Sequence, residues 1–211
     1  MIKFLLALIF VINFVLIEEV RAEDKLSPEL LIVGNITREN FNERNSEIRE
    51  VIKKEVAYDV TSLSEIKFCS EKGMTSSELK RLVKYGNKEC PNIYQSIKNA
   101  KVIAISTSGT EFDQLISSKS LKTRYRKAGI IKGRYINNVN EIILKIRGLN
   151  KEAIILIPKL TKPTGLGGKY NFIISEYIKS WNEALESISS KEETIVLYRN
   201  QKASQNKRKL E

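Results

Sequence analysis

The polar segments that follow the apolar runs of this chain hold the side chains able to do chemistry. Thr37, Glu111 and Asp113 supply a hydroxyl and two carboxylates. Gathered at one edge, two carboxylates can act as the acid and base of a glycoside hydrolase; the plainer reading is solvated turn residues, with Asp113 opening a helix. Ser106 and Ser108 add hydroxyls on a neighbouring turn, and Lys72 and Lys159 bring amines to the same edge. The 211 residues contain no histidine. That excludes a Ser-His-Asp triad, a Cys-His pair and an imidazole base, and leaves acid–base work to Asp, Glu, Lys or Tyr. Cys69 and Cys90 are the only cysteines. Two thiols without a histidine do not make a zinc site, and no cofactor is expected. In an oxidising compartment the pair would form a disulfide; in a reducing one they stay free thiols. Gly165-Leu166-Gly167-Gly168-Lys169 has the glycines of a phosphate loop but not the GxxxxGK[ST] pattern, and reads as a flexible connection.

Charge points to the class of partner. The formal net charge is +11. One stretch is basic throughout: Lys119, Lys122, Arg124, Arg126, Lys127, Lys132 and Arg134, with no acid between them and with Tyr125 and Tyr135 within or beside it. Such a run suits an anionic surface, an acylated small molecule or a glycan, and suits nucleic acid less. Its sharper reading is an insertion loop over the site edge; its plainer one is a solvated charge run.

The elements that must position these groups follow from hydrophobic patterning. Leu30-Leu31-Ile32-Val33, Ile66 to Cys69, Lys101 to Ile105, Ala153 to Ile157 and Thr194 to Tyr198 are short apolar runs of the kind that become strands buried on both faces. The fourth is expected to stop at Pro158. Between them lie helical patterns over 45–57, from Thr75 (Thr75-Ser76-Ser77-Glu78 is a helix start), from Pro91 through Ile97, over 138–149 and over 172–188. Strands alternating with amphipathic helices predict an α/β fold, a doubly wound parallel sheet in a flavodoxin-like three-layer sandwich. Ligands in such sheets bind beyond the carboxyl ends of the strands, at the turns 34–38, 69–75, 106–113 and 159–168.

At the start, Lys3, the apolar run Phe4 to Ile17 and a small residue at Ala22 have the layout of a secretory leader cleaved after Ala22. The run is short for a membrane span. The reading is a leader over 1–22, one domain over 23–200, a basic tail over 201–211 without fixed structure, and a secreted, extracytoplasmic location.

Five blocks in order resemble the SGNH hydrolases, the GDSL-type lipases and acylhydrolases, in their small exported bacterial form. Leu31-Ile32-Val33-Gly34-Asn35-Ile36-Thr37 is similar to the apolar strand and GDS(L/I)T. Lys72-Gly73-Met74-Thr75 is similar to the block whose glycine amide faces the oxyanion. Ala100 to Phe112 (AKVIAISTSGTEF) resembles the strand and GGND block, and Lys145 to Ile157 the helix and strand after it. Trp181-Asn182 is similar to a pair in a later helix. The resemblance implies a domain with vestigial block positions at Gly34, Asn35, Thr37, Gly73, Gly109, Thr110 and Glu111. It also marks the departures. Ile36, or Asn35 with the gap moved, stands where the family has its serine. Thr110 or Glu111 stands where it has the asparagine, and a carboxylate there would repel an oxyanion. No Asp-x-x-His follows the last strand, so the domain is expected to be shortened at its C-terminus. Two functions remain: a non-catalytic secreted binder of an anionic or acylated ligand, or an esterase that uses a substitute site.

Overall fold

The computed structural model describes residues 30–36, 48, 50–54, 66–106, 111, 121–161 and 170–199. The leader, Thr37, the turn 107–110, Asp113, Lys119, the glycine loop 165–169 and the tail lie outside the described residues.

Five strands form one parallel sheet: β1 (Leu30–Gly34), β2 (Ile66–Ser70), β3 (Val102–Ser106), β4 (Ile154–Lys159) and β5 (Ile195–Arg199), in the order β2-β1-β3-β4-β5. This is the flavodoxin-like order, and the α/β class follows from it. β1 and β3 are buried along their whole length. That is why they read as unbroken apolar runs instead of alternating ones. One face of the sheet is covered by α1 (Ser76–Tyr85), α2 (Ile93–Asn99), α3 (Leu121–Leu149) and α4 (Tyr170–Ser189). The other face packs Leu30, Ile32, Val102 and Ala104 against Ile36, Ile48 and Ile52, the last within helical residues 50–54.

Two expectations need correction. Pro158 does not stop its strand but lies inside β4, paired with Tyr198 of β5. β4 pairs with β3 only as far as Leu156, so at Pro158 the strand has a neighbour on one side alone, where a missing N–H is tolerated. The basic stretch is not an insertion loop: from Leu121 it belongs to α3, a helix of 29 residues. Ala128, Ile131, Tyr135, Val139, Ile142 and Ile146 recur at helical spacing and are buried or half-buried against the core. Gly129, Gly133 and the density of charge hide that stripe in the sequence.

Local chemistry sets the ends. Thr75 caps α1 in a full capping box with Glu78. Cys69 and Cys90 form a disulfide with Cα atoms 5.7 Å apart, joining the end of β2 to the turn before α2. After α3, the Asn150 amide donates to the carbonyls of Ile97, Lys98 and Ala100 and its carbonyl accepts from Glu152 and Ala153, locking the entry to β4.

Candidate functional site

The last residues of three strands align: Gly34 is in register with Ser70 on one side and Ser106 on the other. At Gly34 φ is +114°, and a Cβ would stand 2.3 Å from the Ser106 carbonyl oxygen. Only glycine fits so close an approach. The chain then turns so that the Asn35 N–H donates to the Ser106 carbonyl, while the Gly34 carbonyl accepts from the Glu71 N–H at 2.9 Å. The turn after β2 carries Gly73 at φ +82°, with no atom within 4 Å of where its Cβ would be. Its N–H donates to Oδ1 of Asn35. An amide that could stabilise an incoming oxyanion is therefore already bonded within the chain.

Ile36 points away from this edge. It is 2% exposed and packs with Leu30, Ile32, Ile48 and Ile52 on the far face of the sheet. No substrate reaches that side chain, and a hydrocarbon could not attack one.

Glu111 is buried, and its Oε1 accepts from the Ser76 N–H at the first turn of α1. Ser76 and Asn138 are buried beside it; the Asn138 amide donates to the hydroxyls of Ser76 at 2.9 Å and Ser77 at 3.0 Å. Oε2 of Glu111 has no hydrogen-bond partner among the described residues. Burial pushes the Glu111 carboxyl above its ordinary range, against the opposing hydrogen bonds from the Ser76 hydroxyl and N–H, and the nearby Glu78 charge adds to the rise. Glu78 itself is held low by the Thr75 N–H and hydroxyl. The Glu111 carboxylate thus faces the N-terminus of α1 and is shielded from solvent. Sequence reasoning named Glu111 but missed Ser76 and Asn138. A serine just after the cap and an asparagine within a helical pattern are polar residues that only the fold reveals as buried.

The open space beside Gly73 is a cleft of about 430 Å³. Lys72, Arg81, Tyr85 and Lys88 line it together with Glu71 and Glu78, over buried Met74 and Leu82.

The comparisons with known proteins bear on this architecture. No protein-family model and no curated protein matches the chain. Solved structures do. A lipase from a goat rumen metagenome superposes with a TM-score of 0.58 at 15% identity, covering 80% of this chain and 78% of its own. An extracellular lipase from Streptomyces rimosus gives 0.53 at 9% identity over 81% and 79%. Phospholipase A1 from Streptomyces albidoflavus gives 0.53 at 9% over 82% and 79%. The fold is SGNH-hydrolase-like.

In this SGNH-like frame the predicted positions separate. Gly34, Asn35 and Gly73 come together at the strand ends, and Glu111 lies at the start of α1. Gly109, Thr110 and Thr37 lie outside the described residues. Trp181 is buried with its ring centroid 4.8 Å from that of Tyr135, and Asn182 clamps the end of β4 by bonding both the N–H and the carbonyl of Leu160. Of the basic residues, Lys122, Arg124 and Arg126 belong to α3, Lys127 and Arg134 are exposed on it, and Lys132 donates to Ser180 of α4 at 2.7 Å. Among the described residues no group of His, Cys, Asp and Glu could hold a metal ion, and no helix is long and apolar enough to cross a membrane.

Proposed function

We propose that this is an exported SGNH-like protein that binds an anionic or acylated ligand near the carboxyl edge of its sheet and does not hydrolyse esters. The observation that carries the reading is Ile36. The resemblance puts it in the nucleophile's place, and its side chain is packed in the core. The absence of histidine from all 211 residues supports it, because an acyl-enzyme needs a nucleophile activated by a base within hydrogen-bond reach. So does the Asn35 amide, whose oxygen engages the Gly73 N–H. Loss of such a nucleophile costs on the order of 10⁶ in rate. Export rests on the leader-like residues 1–22, and a structural neighbour named as an extracellular lipase agrees with it. The cationic side chains around the cleft beside Gly73 suit an anionic headgroup, and its buried Met74 and Leu82 suit an apolar portion.

The test is hydrolysis of short-chain aryl esters and labelling by a fluorophosphonate, with Thr37→Ala, Ser106→Ala and Ser108→Ala as controls. Neither turnover nor labelling is expected. Hydrolysis well above background that one of these changes abolishes would establish a rewired esterase and overturn the proposal.

A further inference from the structure

The net positive charge of this protein is concentrated on three helices. α3 alone carries eight Lys and Arg against a single acid, Glu141. α1 and α2 add Lys80, Arg81, Lys84 and Lys98 against Glu78. The turns 71–75 and 86–92 cancel, with Lys72 and Lys88 against Glu71 and Glu89. α4, on the same side of the sheet, has the opposite balance, with Glu176, Glu183 and Glu186 against Lys179. Most of the net charge of +11 therefore resides in α1 to α3.

Helix stability does not account for this placement. The first turn of α3 has no acid. Its N-terminal half holds six cations, Lys122 to Arg134, and the first of them lie in the turn where the helix dipole is positive and a cation is unfavourable. A partner of opposite charge relieves that repulsion.

The same three helices carry the exposed hydrophobic groups. Among the described residues, the large hydrophobic side chains left exposed are Tyr85 of α1, Tyr94 of α2, and Ile130 and Leu144 of α3. Four of the surface groups are joined. The Lys84 ammonium lies 5.1 Å from the Tyr85 ring centroid and the Lys145 ammonium 4.9 Å from that of Tyr94. The Tyr94 hydroxyl also donates to the Lys84 carbonyl. Leu144 borders the groove between α1 and α3 with Lys84 and Lys145. Further along α3, Ile130 is 59% exposed between the exposed cations Lys127 and Arg134, which share its face at helical spacing.

We propose that the α1–α3 face docks on an anionic lipid bilayer, with the Lys and Arg ammonium and guanidinium groups at the headgroups and Ile130, Leu144, Tyr85 and Tyr94 entering the interface. The inference deepens the anionic-ligand part of the proposed function and rests on that part. Charge complementarity alone would also suit a soluble polyanion. The exposed aliphatic residues select the bilayer, because a basic face with apolar groups among its cations binds lipid through both contributions.

The test is co-sedimentation with phosphatidylglycerol-containing and pure phosphatidylcholine vesicles, using the full chain and, in parallel, the chain beginning at Glu23. Both are expected to pellet with the anionic vesicles, less so at high salt, and the chain from Glu23 to remain free of the neutral ones. The double change Lys127→Gln/Arg134→Gln should lower partitioning roughly 30-fold. Ile130→Ser/Leu144→Ser should lower it roughly tenfold or more with no change in net charge. Circular dichroism of both variants confirms folding, since all four side chains are at the surface. No binding to anionic vesicles overturns the inference, as does binding that neither double variant weakens. Soluble polyphosphate that displaces the protein completely, with Ile130→Ser/Leu144→Ser neutral, assigns the face to a polyanion and also overturns it. Ester turnover by the same preparation would sink the non-catalytic reading and leave this one standing.

Discussion

Among the described residues, Glu111 is the buried carboxyl whose ionisation opposes folding, and Glu111→Gln isolates it. In the native protein burial raises its pKa above the ordinary 4.5, so the folded state holds the proton more tightly than the unfolded state. The sign follows from linkage: the stability contributed by this group is complete below its unfolded value, falls as pH rises, and levels off once pH passes the raised value. The slope is bounded by one proton, about 1.4 kcal/mol per pH unit. Glutamine keeps a carbonyl oxygen for the Ser76 N–H and cannot ionise. Its amide nitrogen replaces Oε2, which has no partner, so the cost of that orphan, about 1–3 kcal/mol, is carried at every pH. The quantity to measure is the stability of the wild type minus that of Glu111→Gln, from urea unfolding between pH 4 and pH 8. It should decrease monotonically from pH 4.5 upward. Titration of Glu78, whose pKa is lowered and whose own contribution has the opposite sign, is present in both proteins; what does not cancel is its repulsion with ionised Glu111, which has the same sign as the expected decrease. Glu111→Leu supplies the control, because it strands the Ser76 N–H and should be less stable than Glu111→Gln by on the order of 1–3 kcal/mol. A difference that is flat, or that rises with pH, would refute the assignment of Glu111 as a desolvated carboxyl.

Three further changes probe the frame of the site. Reducing the Cys69–Cys90 bond, which spans a sequence separation of 21, should lower stability by about 3 kcal/mol; a thiol assay on denatured, unreduced protein should find no free thiol. Gly34→Ala places a Cβ against the Ser106 carbonyl at a positive φ and should cost on the order of 3 kcal/mol or more in thermal or urea unfolding; a change under 1 kcal/mol would contradict the close approach of β1 and β3. Asn150→Ala removes the donor shared by three carbonyls at the α3–β4 junction and should cost about 3 kcal/mol, with hydrogen exchange accelerating first at Glu152 and Ala153, whose N–H groups donate to the Asn150 side chain.

Strands were legible because a parallel sheet covered on both faces demands continuous apolar runs, and Leu30 to Val33 and Val102 to Ile105 have no other use for so many β-branched and aliphatic side chains. Helix starts were legible where local chemistry defines them, as at Thr75 and Glu78. The first half of α3 was not. Its core-facing positions include a small one, Ala128, and a half-buried one, Ile131, while Lys and Arg flank them on both sides. A charge run with two glycines looks the same whether it forms a loop or a helix's solvent face. The site was legible as a list of departures but not as a set of bonds. Nothing in the order Gly34-Asn35-Ile36 says that the asparagine reaches Gly73 across the sheet or that the isoleucine turns to the opposite face.

Backbone geometry alone accounts for the two glycines at this edge. Gly34 is required by the distance between β1 and β3, whatever the protein does. Gly73 is held at positive φ by the turn that leads into the capped start of α1. Both glycines are therefore set by backbone geometry and say nothing about catalysis. Catalysis would be visible in polar atoms left free to meet a substrate, preorganised but unsatisfied until it binds. Here several polar atoms at the edge are engaged with one another, Asn35 with Gly73 and Ser106, Glu111 with Ser76, and Asn138 with Ser76 and Ser77, while Ser70 Oγ and Glu111 Oε2 have no partner among the described residues. The bonds to Ser76 and Ser77 tie Glu111 and α3 to α1, the helix that presents Arg81, Lys84 and Tyr85 outward. If the proposed docking holds, the interior of this SGNH-like edge is a rigid mount for the helices whose outward surface meets the partner.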